Sequence, residues 1–378
     1  MQEGNLTDIL IIGGGIAGCI AAISLVKNHR VTLIDKLPEP KERIGESLAP
    51  AAQRILKKLN LLEGIKREDI APVYIKNIGM QSYWGSDQVH IVDHMRNPDG
   101  LGMNLDRKAF EMYLRQVAEA RGVECVWPAH LFSCELHDDR WHCTAKSEDA
   151  NYSFTSKFVI DATGRSSYFS SKLGIKRKRY DKLISYWAYM SDQEENQMST
   201  ISAGRNGWWY TAVIPNKRRV IAYQTDSDLV DRAKIKSLGA FLSLARDNNK
   251  ITRILERSNG DICFHGAVAA NSSRLDKASG NQWAAIGDAA ISFDPLSSQG
   301  MFHAMASAMQ LKELITKHDI ISNCNSNYMD NFKKEYNDQI DKIWEHYIQH
   351  KDLFYRQERR WMNSTFWKRR HLLLVEEI

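Results

Sequence analysis

The chain alternates short, wholly apolar runs with stretches of helical periodicity. Leu6–Ile12 (LTDILII) reads as a strand buried on both faces, as in a parallel sheet. A glycine cluster follows, then the run Cys19, Ile20, Ala21, Ala22, Leu25 and Val26, which suits a buried helix, and then a second strand, Val31–Ile34. Two later apolar strands, at 158–160 and 283–286, each end in a turn of Gly and Asp. From Gly300 the residues Met301, Ala304, Met305, Ala308 and Met309 recur at helical spacing, as core positions do. On the strand 207–215, alternation puts Trp208 and Tyr210 on one face and Trp209 on the other. From Leu311 the pattern is helical and then basic and aromatic, with Trp361, Phe366 and Trp367. Ile9–Val26 runs eighteen residues without a charge, the length of a membrane span. Its centre is three glycines and acidic Glu3 and Asp8 precede it, so it is expected to be strand, turn and helix, with neither a membrane anchor nor a signal peptide.

The glycine cluster carries the first chemistry. Gly13, Gly15 and Gly18, with Ile16 and Ala17 between them, fit GxGxxG between a strand and a helix. Gly13 permits a sharp turn, Gly15 lets a pyrophosphate approach the backbone, and Gly18 lets helix and strand pack closely. The free amides of the helix start then face the phosphate. Asp35, with Lys36 beside it, ends the second strand about 20 residues on, where an acid accepts from ribose hydroxyls. This unit alone leaves FAD and NAD open.

Composition narrows the class. The chain has 378 residues, enough for two domains, and 43% hydrophobic with 26% charged residues suits a globular protein. A net charge of +5 is too mild to imply nucleic acid. The excess is local: six Lys/Arg against Glu358 lie between Arg356 and His371. The six cysteines form no CxxC pair, so no metal site is expected. Their scatter points to reduced thiols in a cytoplasm.

Two further motifs choose the cofactor. FVIDATGR (158–165) ends a strand with Asp161 and Gly164 in a turn. WAAIGDAA (283–290) ends another with Gly287 and Asp288, and DPLSSQG (294–300) leads through Pro295, Gln299 and Gly300 to Met301. Asp288 suits ribitol hydroxyls, and the amides near Gly300 suit the carbonyl edge of an isoalloxazine. GxGxxG, DATGR and GDAA…DP…G, in that order, resemble the flavoprotein monooxygenases of the para-hydroxybenzoate hydroxylase fold. That resemblance implies bound FAD and places Arg43, Glu46 and Ser47 (in RIGESLAP) and Arg107 near the flavin and its phosphates.

The implied architecture is α/β. A discontinuous Rossmann-like FAD-binding domain (1–70, 100–180 and 265–320) carries an inserted antiparallel substrate sheet (73–92 and 183–264) and a helical C-terminal region (321–378).

GESLAP resembles the flavin-dependent halogenases. GWWYTAVIP (207–215) has Tyr210 and Ala212 where the halogenase WxWxIP pattern has tryptophans. With the tail ERRWMNSTFWKRR it is more similar to the flavoproteins that mature tryptophylquinone cofactors of glycine and lysine oxidases. A halogenase needs a lysine near its substrate. Lys76 is close, but counting back from Trp84-Gly85 puts Asn77 there, and Ser297 stands where tryptophan halogenases have a glutamate. The chemistry so implied is hydroxylation through a flavin C4a-hydroperoxide, on a tryptophan of a precursor protein or on a small aromatic. Electrons would come from NAD(P)H or a flavin reductase. Trp208 and Tyr210 are candidates for the substrate pocket, His303 for a base, and Arg369 and Arg370 for docking a protein substrate. A halogenase of an indole or phenol, and a geranylgeranyl-reductase-like or silent flavoprotein, are the alternatives.

Overall fold

The computed structural model describes residues 5–66, 72–194, 196–230, 235, 237–257, 261–322 and 326–372. Its larger sheet sets five strands parallel and side by side: Trp283–Ala285, Asn151–Asp161, Asn5–Ile12, Val31–Ile34 and Glu124–Val126. Ile9, Leu10, Ile11, Val159 and Ile160 are fully buried, which explains the absence of polar alternation in these runs. The helix Ile16–Leu25 covers them, so the uncharged stretch is strand, turn and helix. No helix among the described residues is long and apolar enough to cross a membrane.

A second sheet of seven strands runs 262–269, 183–191, 218–226, 207–214, 198–204, 79–83 and 90–93, antiparallel except for the parallel pair 198–204 and 79–83. The strand Ile262–Ala269 belongs to this sheet along its whole length, and Tyr74–Asn77 joins a small sheet with 47–48 and 102–105. Alternation divides the faces. Trp209 and Tyr223 pack under the helices Leu238–Arg246 and Asn249–Leu255 on one side, with Phe241 of the first helix against Trp209. On the other, Trp187, Tyr189 and Tyr210 turn toward the parallel sheet's domain.

The helix Ser326–Gln357 joins the two parts. Phe332, Tyr336, Ile340, Trp344 and Tyr347 form one stripe in the core of the parallel sheet. Farther along, Tyr355 packs with Trp208, Phe366 and Trp367 against the second sheet. The basic tail is therefore partly internal: Arg359 and Lys368 are exposed, whereas Arg369 and Arg370 turn to carboxylates of the second sheet. Arg370 is buried and donates to Asp226 at 2.8 and 3.1 Å, and Arg369 pairs with Asp226 and Asp228. Trp367 donates to the Gly204 carbonyl. Arg369 and Arg370, the candidates for docking a partner, are thus both paired with carboxylates of this chain.

Cys134 and Cys143 face each other across a hairpin with Cα atoms 4.0 Å apart, while Cys19, Cys125 and Cys263 are free. Cys324 lies outside the described residues.

Candidate active site

Three turns meet at the carboxyl ends of three neighbouring parallel strands, where ligands bind in open α/β sheets. Each turn is laced to the next: Ala162 N–H donates to Ile12 O at 2.8 Å, and Ile286 N–H to Asp161 O at 2.9 Å. Gly13 has φ +112°, and a Cβ there would lie 2.4 Å from Ala162 O. A Cβ on Gly18 would lie 1.8 Å from Gly13 O. At Gly15 a Cβ would meet nothing within 4 Å, and no side chain caps the helix that starts at Ile16. The amides of Ile16, Ala17 and Gly18 thus form an uncapped helix start beside open space, which fits a phosphate.

Asp35 accepts from Gly14 N–H at 2.6 Å and Leu37 N–H at 2.7 Å, and Lys36 beside it is exposed. Buried Arg115, which the sequence reading passed over, donates to Gly14 O and Leu37 O, both at 3.0 Å, and lies 3.2 Å from Asp35. The available signal was a guanidinium on the same helix face as Phe110, Leu114 and Ala118.

Asp161 is a turn anchor. Thr163 and Ser170 each give its carboxylate a backbone N–H and a hydroxyl, at 2.6–3.1 Å. It offers the crevice the shape of the turn rather than a free acceptor, and Gly164 (φ +65°) opens beside it. Arg165 ties this turn to the third, donating to Phe293 O at 2.8 Å and lying 3.5 Å from the half-exposed Asp288. Gly287 N–H donates to Ser307. Pro295, Gln299 and Gly300 are exposed, a Cβ on Gly300 would meet nothing within 4 Å, and Met301 is buried. His303 is buried against Phe293, and burial pulls its imidazole down to about 4, so it is neutral. Its Nε2 has no partner among the described residues.

The segment Arg43–Ser47 crosses from this crevice to the second sheet. Arg107 donates to Gly45 O at 2.8 Å and to Glu111 at 2.6 Å, and exposed Arg43 lies 3.5 Å from Glu111. Tyr189 reaches Arg43 O at 3.4 Å, and the Tyr210 hydroxyl lies beside Ser47 and Ser199 without hydrogen-bond geometry to either. Glu46, between them, is fully buried, and neither carboxylate oxygen has a hydrogen-bond partner among the described residues. Burial raises its carboxyl to about 7; the amides of Glu46 and Gly45 and the cations Arg107 and Arg218 act the other way.

The sheet face opposite is aromatic. His265 stacks on Trp187 at 4.2 Å, and Tyr189 meets Trp187 edge-on at 5.0 Å. Trp187 Nε1 and Tyr210 Oη are buried without hydrogen-bond partners among the described residues, polar atoms on one wall that an arriving ligand can satisfy, while His265 Nε2 lies 3.6 Å from the Glu42 carboxylate. Trp208 shares the face of Tyr210 but is closed in. It donates to Tyr355 Oη at 3.0 Å, and Tyr355 donates to Asp294 at 2.7 Å. Lys76 is exposed, whereas its neighbour Asn77 is buried and donates to Asn104 and Ser199 at 3.0 and 3.1 Å.

Residues 8–70 and 99–375 match a family model described as tryptophan halogenase. The chain belongs to this family. Tryptophan halogenase family proteins include flavin-dependent halogenases and monooxygenases, and FAD is the cofactor. The chain is 27% identical to a putative FAD-dependent oxidoreductase, LodB, of Marinomonas mediterranea, over 96% of each protein. It is 23% identical to a tryptophan 2-halogenase of Chondromyces crocatus, over 82% of this chain and 61% of that one. The chondrochloren halogenase CndH superposes with TM-score 0.85 at 20% identity, over 99% of this chain and 87% of that one. The peptidyl tryptophan dihydroxylase QhpG, essential for tryptophylquinone cofactor biogenesis, superposes with TM-score 0.76 at 19% identity, over 96% and 78%. This member of the family is a flavin-dependent oxidoreductase.

The buried carboxyl of Glu46 has a stability signature. Its value is near 4.5 when unfolded and about 7 when folded. Between those values the folded chain keeps a proton that the unfolded chain has lost, so stability falls as pH rises through this window. FAD-free wild type is expected to lose about 2–3 kcal/mol relative to Glu46→Gln between pH 5 and 8, read by urea unfolding. Parallel curves for the two proteins would refute the assignment.

Proposed function

We propose that this protein is an FAD-dependent monooxygenase that hydroxylates the indole of a tryptophan in a precursor protein, within the biogenesis of a tryptophylquinone-type cofactor in the cytoplasm. The observation that carries the reading is the strand Tyr74–Asn77. The ammonium of Lys76 points to solvent, and the inward position belongs to the uncharged, fully bonded Asn77. Ser297, in the loop before Gly300, supplies no carboxylate either. The likeness to QhpG, a peptidyl tryptophan dihydroxylase, supports the same reading, and the match to LodB over 96% of each protein supports an FAD-dependent oxidoreductase.

Bound FAD supplies the redox chemistry that activates oxygen, with electrons from NAD(P)H or a flavin reductase. The chain's own residues do the rest. Arg115 and Asp35 fix the glycine turn, and Arg165 ties the second and third turns. Tyr210, Tyr189, Trp187 and His265 offer flat and edge surfaces to an indole and keep water away from it.

The test is reaction of the FAD-loaded protein with a reductant, oxygen, halide and a tryptophan-bearing precursor polypeptide, followed by mass spectrometry. One or two oxygen atoms gained on a tryptophan is the expected product. Halide-dependent halogenation of a free indole or phenol would overturn the proposal in favour of a halogenase. Oxygen uptake never coupled to a modified ring would favour a reductase or a silent flavoprotein. Lys76→Ala is expected to change the product rate by less than about twofold, since the residue is exposed on its strand. A loss of a hundredfold would restore the lysine-dependent chemistry.

A further inference from the structure

We infer that Glu46 is the proton acceptor of the reaction, taking up the hydrogen that the aromatic ring must expel when a new substituent is installed. The inference rests on the proposed chemistry at an aromatic ring and names the residue that completes it.

Replacing a ring C–H by C–OH forms a C–O bond to one atom of O2, which bound FAD would activate with two electrons from NAD(P)H or a flavin reductase. The ring C–H bond then breaks, its electron pair restores aromaticity, and a proton leaves. The second oxygen atom ends as water. Something near the ring must hold the departing proton. His303 is set aside by its place: it is packed on Phe293 behind the third turn, and its acidity is too high to hold a proton near neutral pH. Asp294 accepts from Tyr355 O–H and Leu296 N–H, and Asp161 from four donors, so both carboxylates are spent on structure.

Glu46 differs from them all. It sits in the segment that touches the FAD domain through Arg107 and the aromatic sheet through Tyr189 and Tyr210. Both of its oxygens are buried and unpartnered among the described residues. A buried carboxylate without donors is costly unless a ligand or a proton completes it. Arg107 faces it from the helix that starts there and Arg218 from the sheet; these cations also engage Glu111, Asp106 and Glu42. Tyr189 and Tyr210, the other titratable neighbours, have hydroxyls pushed upward by burial and stay neutral. The carboxyl, raised to about 7 by burial, is ionised in part at neutral pH and is a stronger base than an ordinary glutamate. Its neighbours on the wall, Trp187 Nε1 and Tyr210 Oη, leave unmatched polar positions for the substrate.

Wild-type, Glu46→Gln and Glu46→Asp proteins, each loaded with FAD, decide the matter on the precursor polypeptide prepared with ordinary or ring-deuterated tryptophan. FAD affinity from fluorescence quenching is expected to stay within about threefold in both variants, and oxygen uptake to persist. Glu46→Gln should form about a hundredfold less ring-modified product per oxygen consumed, the loss typical of a removed acid–base group. Ring deuteration should slow this variant and leave wild type unaffected. The product rate should rise with pH through about 7 in wild type and Glu46→Asp and be flat in Glu46→Gln. An unchanged product-to-oxygen ratio in Glu46→Gln overturns the inference. So does a tenfold loss of FAD affinity, which would make Glu46 a ligand of the cofactor. The chemical nature of the wild-type product tests the hydroxylase reading separately: halogenation would end that reading and leave the Glu46→Gln ratio decisive, because either substitution expels a ring proton. A wild type that modifies no ring ends both.

Discussion

Asp226→Ala is expected to destabilise the protein by about 3–5 kcal/mol and to release its C-terminal segment, because it strands a buried guanidinium. Asp226 is 1% exposed and sits at the end of the strand Arg218–Asp226. Both of its oxygens accept from Arg370, and one also accepts from Arg369. Arg370 has little else to turn to. It donates to Phe366 O, lies 3.5 Å from the Phe366 ring centre and lies 4.9 Å from that of Tyr355. Removing one member of such a pair leaves the other charged, buried and uncompensated. Removing both leaves a mostly apolar space, so Asp226→Ala with Arg370→Met should recover a good part of the loss. Urea unfolding measures the energies, and trypsin cleavage after Lys368 reports release of the tail. A single mutant as stable as wild type, with no faster cleavage, would return the tail to a solvated, docking role.

The tail marks where sequence reading ran out. Six cations within sixteen residues look like a solvated or partner-facing surface when read alone. The partners of Arg369 and Arg370, Asp226 and Asp228, lie about 140 residues earlier, and no local pattern joins them. The aromatic wall was hidden for the same reason. Trp187 and Tyr189 alternate on a strand as any core pair would, and only the bulge that brings His265 onto Trp187 and the approach of Ile44 and Ser47 make the face a site. Glu46 was placed near the flavin by resemblance, but burial without a partner emerges only in three dimensions. The glycine turns were legible because their demands are local: a positive φ at Gly13, a backbone oxygen against Gly18, a strand on one side and a helix on the other. The order of the strands was not local. That Trp283–Ala285, Asn151–Asp161 and Asn5–Ile12 are neighbours is what turns separate motifs into a single crevice.

The sharpest test of that crevice contrasts two glycines three residues apart. Gly15 has φ −85° and ψ −168°, a backbone any residue adopts, and a Cβ there meets nothing within 4 Å. Gly15→Ala is therefore expected to leave the FAD-free protein as stable as wild type, or more stable by about 0.5 kcal/mol through a stiffer unfolded chain. Its methyl group occupies the space beside the uncapped amides, where the pyrophosphate must approach. FAD affinity should fall at least a hundredfold, about 3 kcal/mol. Gly18→Ala reverses the pattern. Its Cβ would lie 1.8 Å from Gly13 O and 3.0 Å from Gly13 C, and backbone cannot swing aside as a side chain does. The helix must move away from the strand it covers, at a cost of about 3 kcal/mol or more in the unliganded chain. Unfolding of the FAD-free variants and quenching titrations with FAD separate the two effects. Gly15→Ala protein that binds FAD as tightly as wild type would show that the phosphates lie elsewhere. Gly18→Ala protein of undiminished stability would show that helix and strand do not meet as closely as these atoms place them.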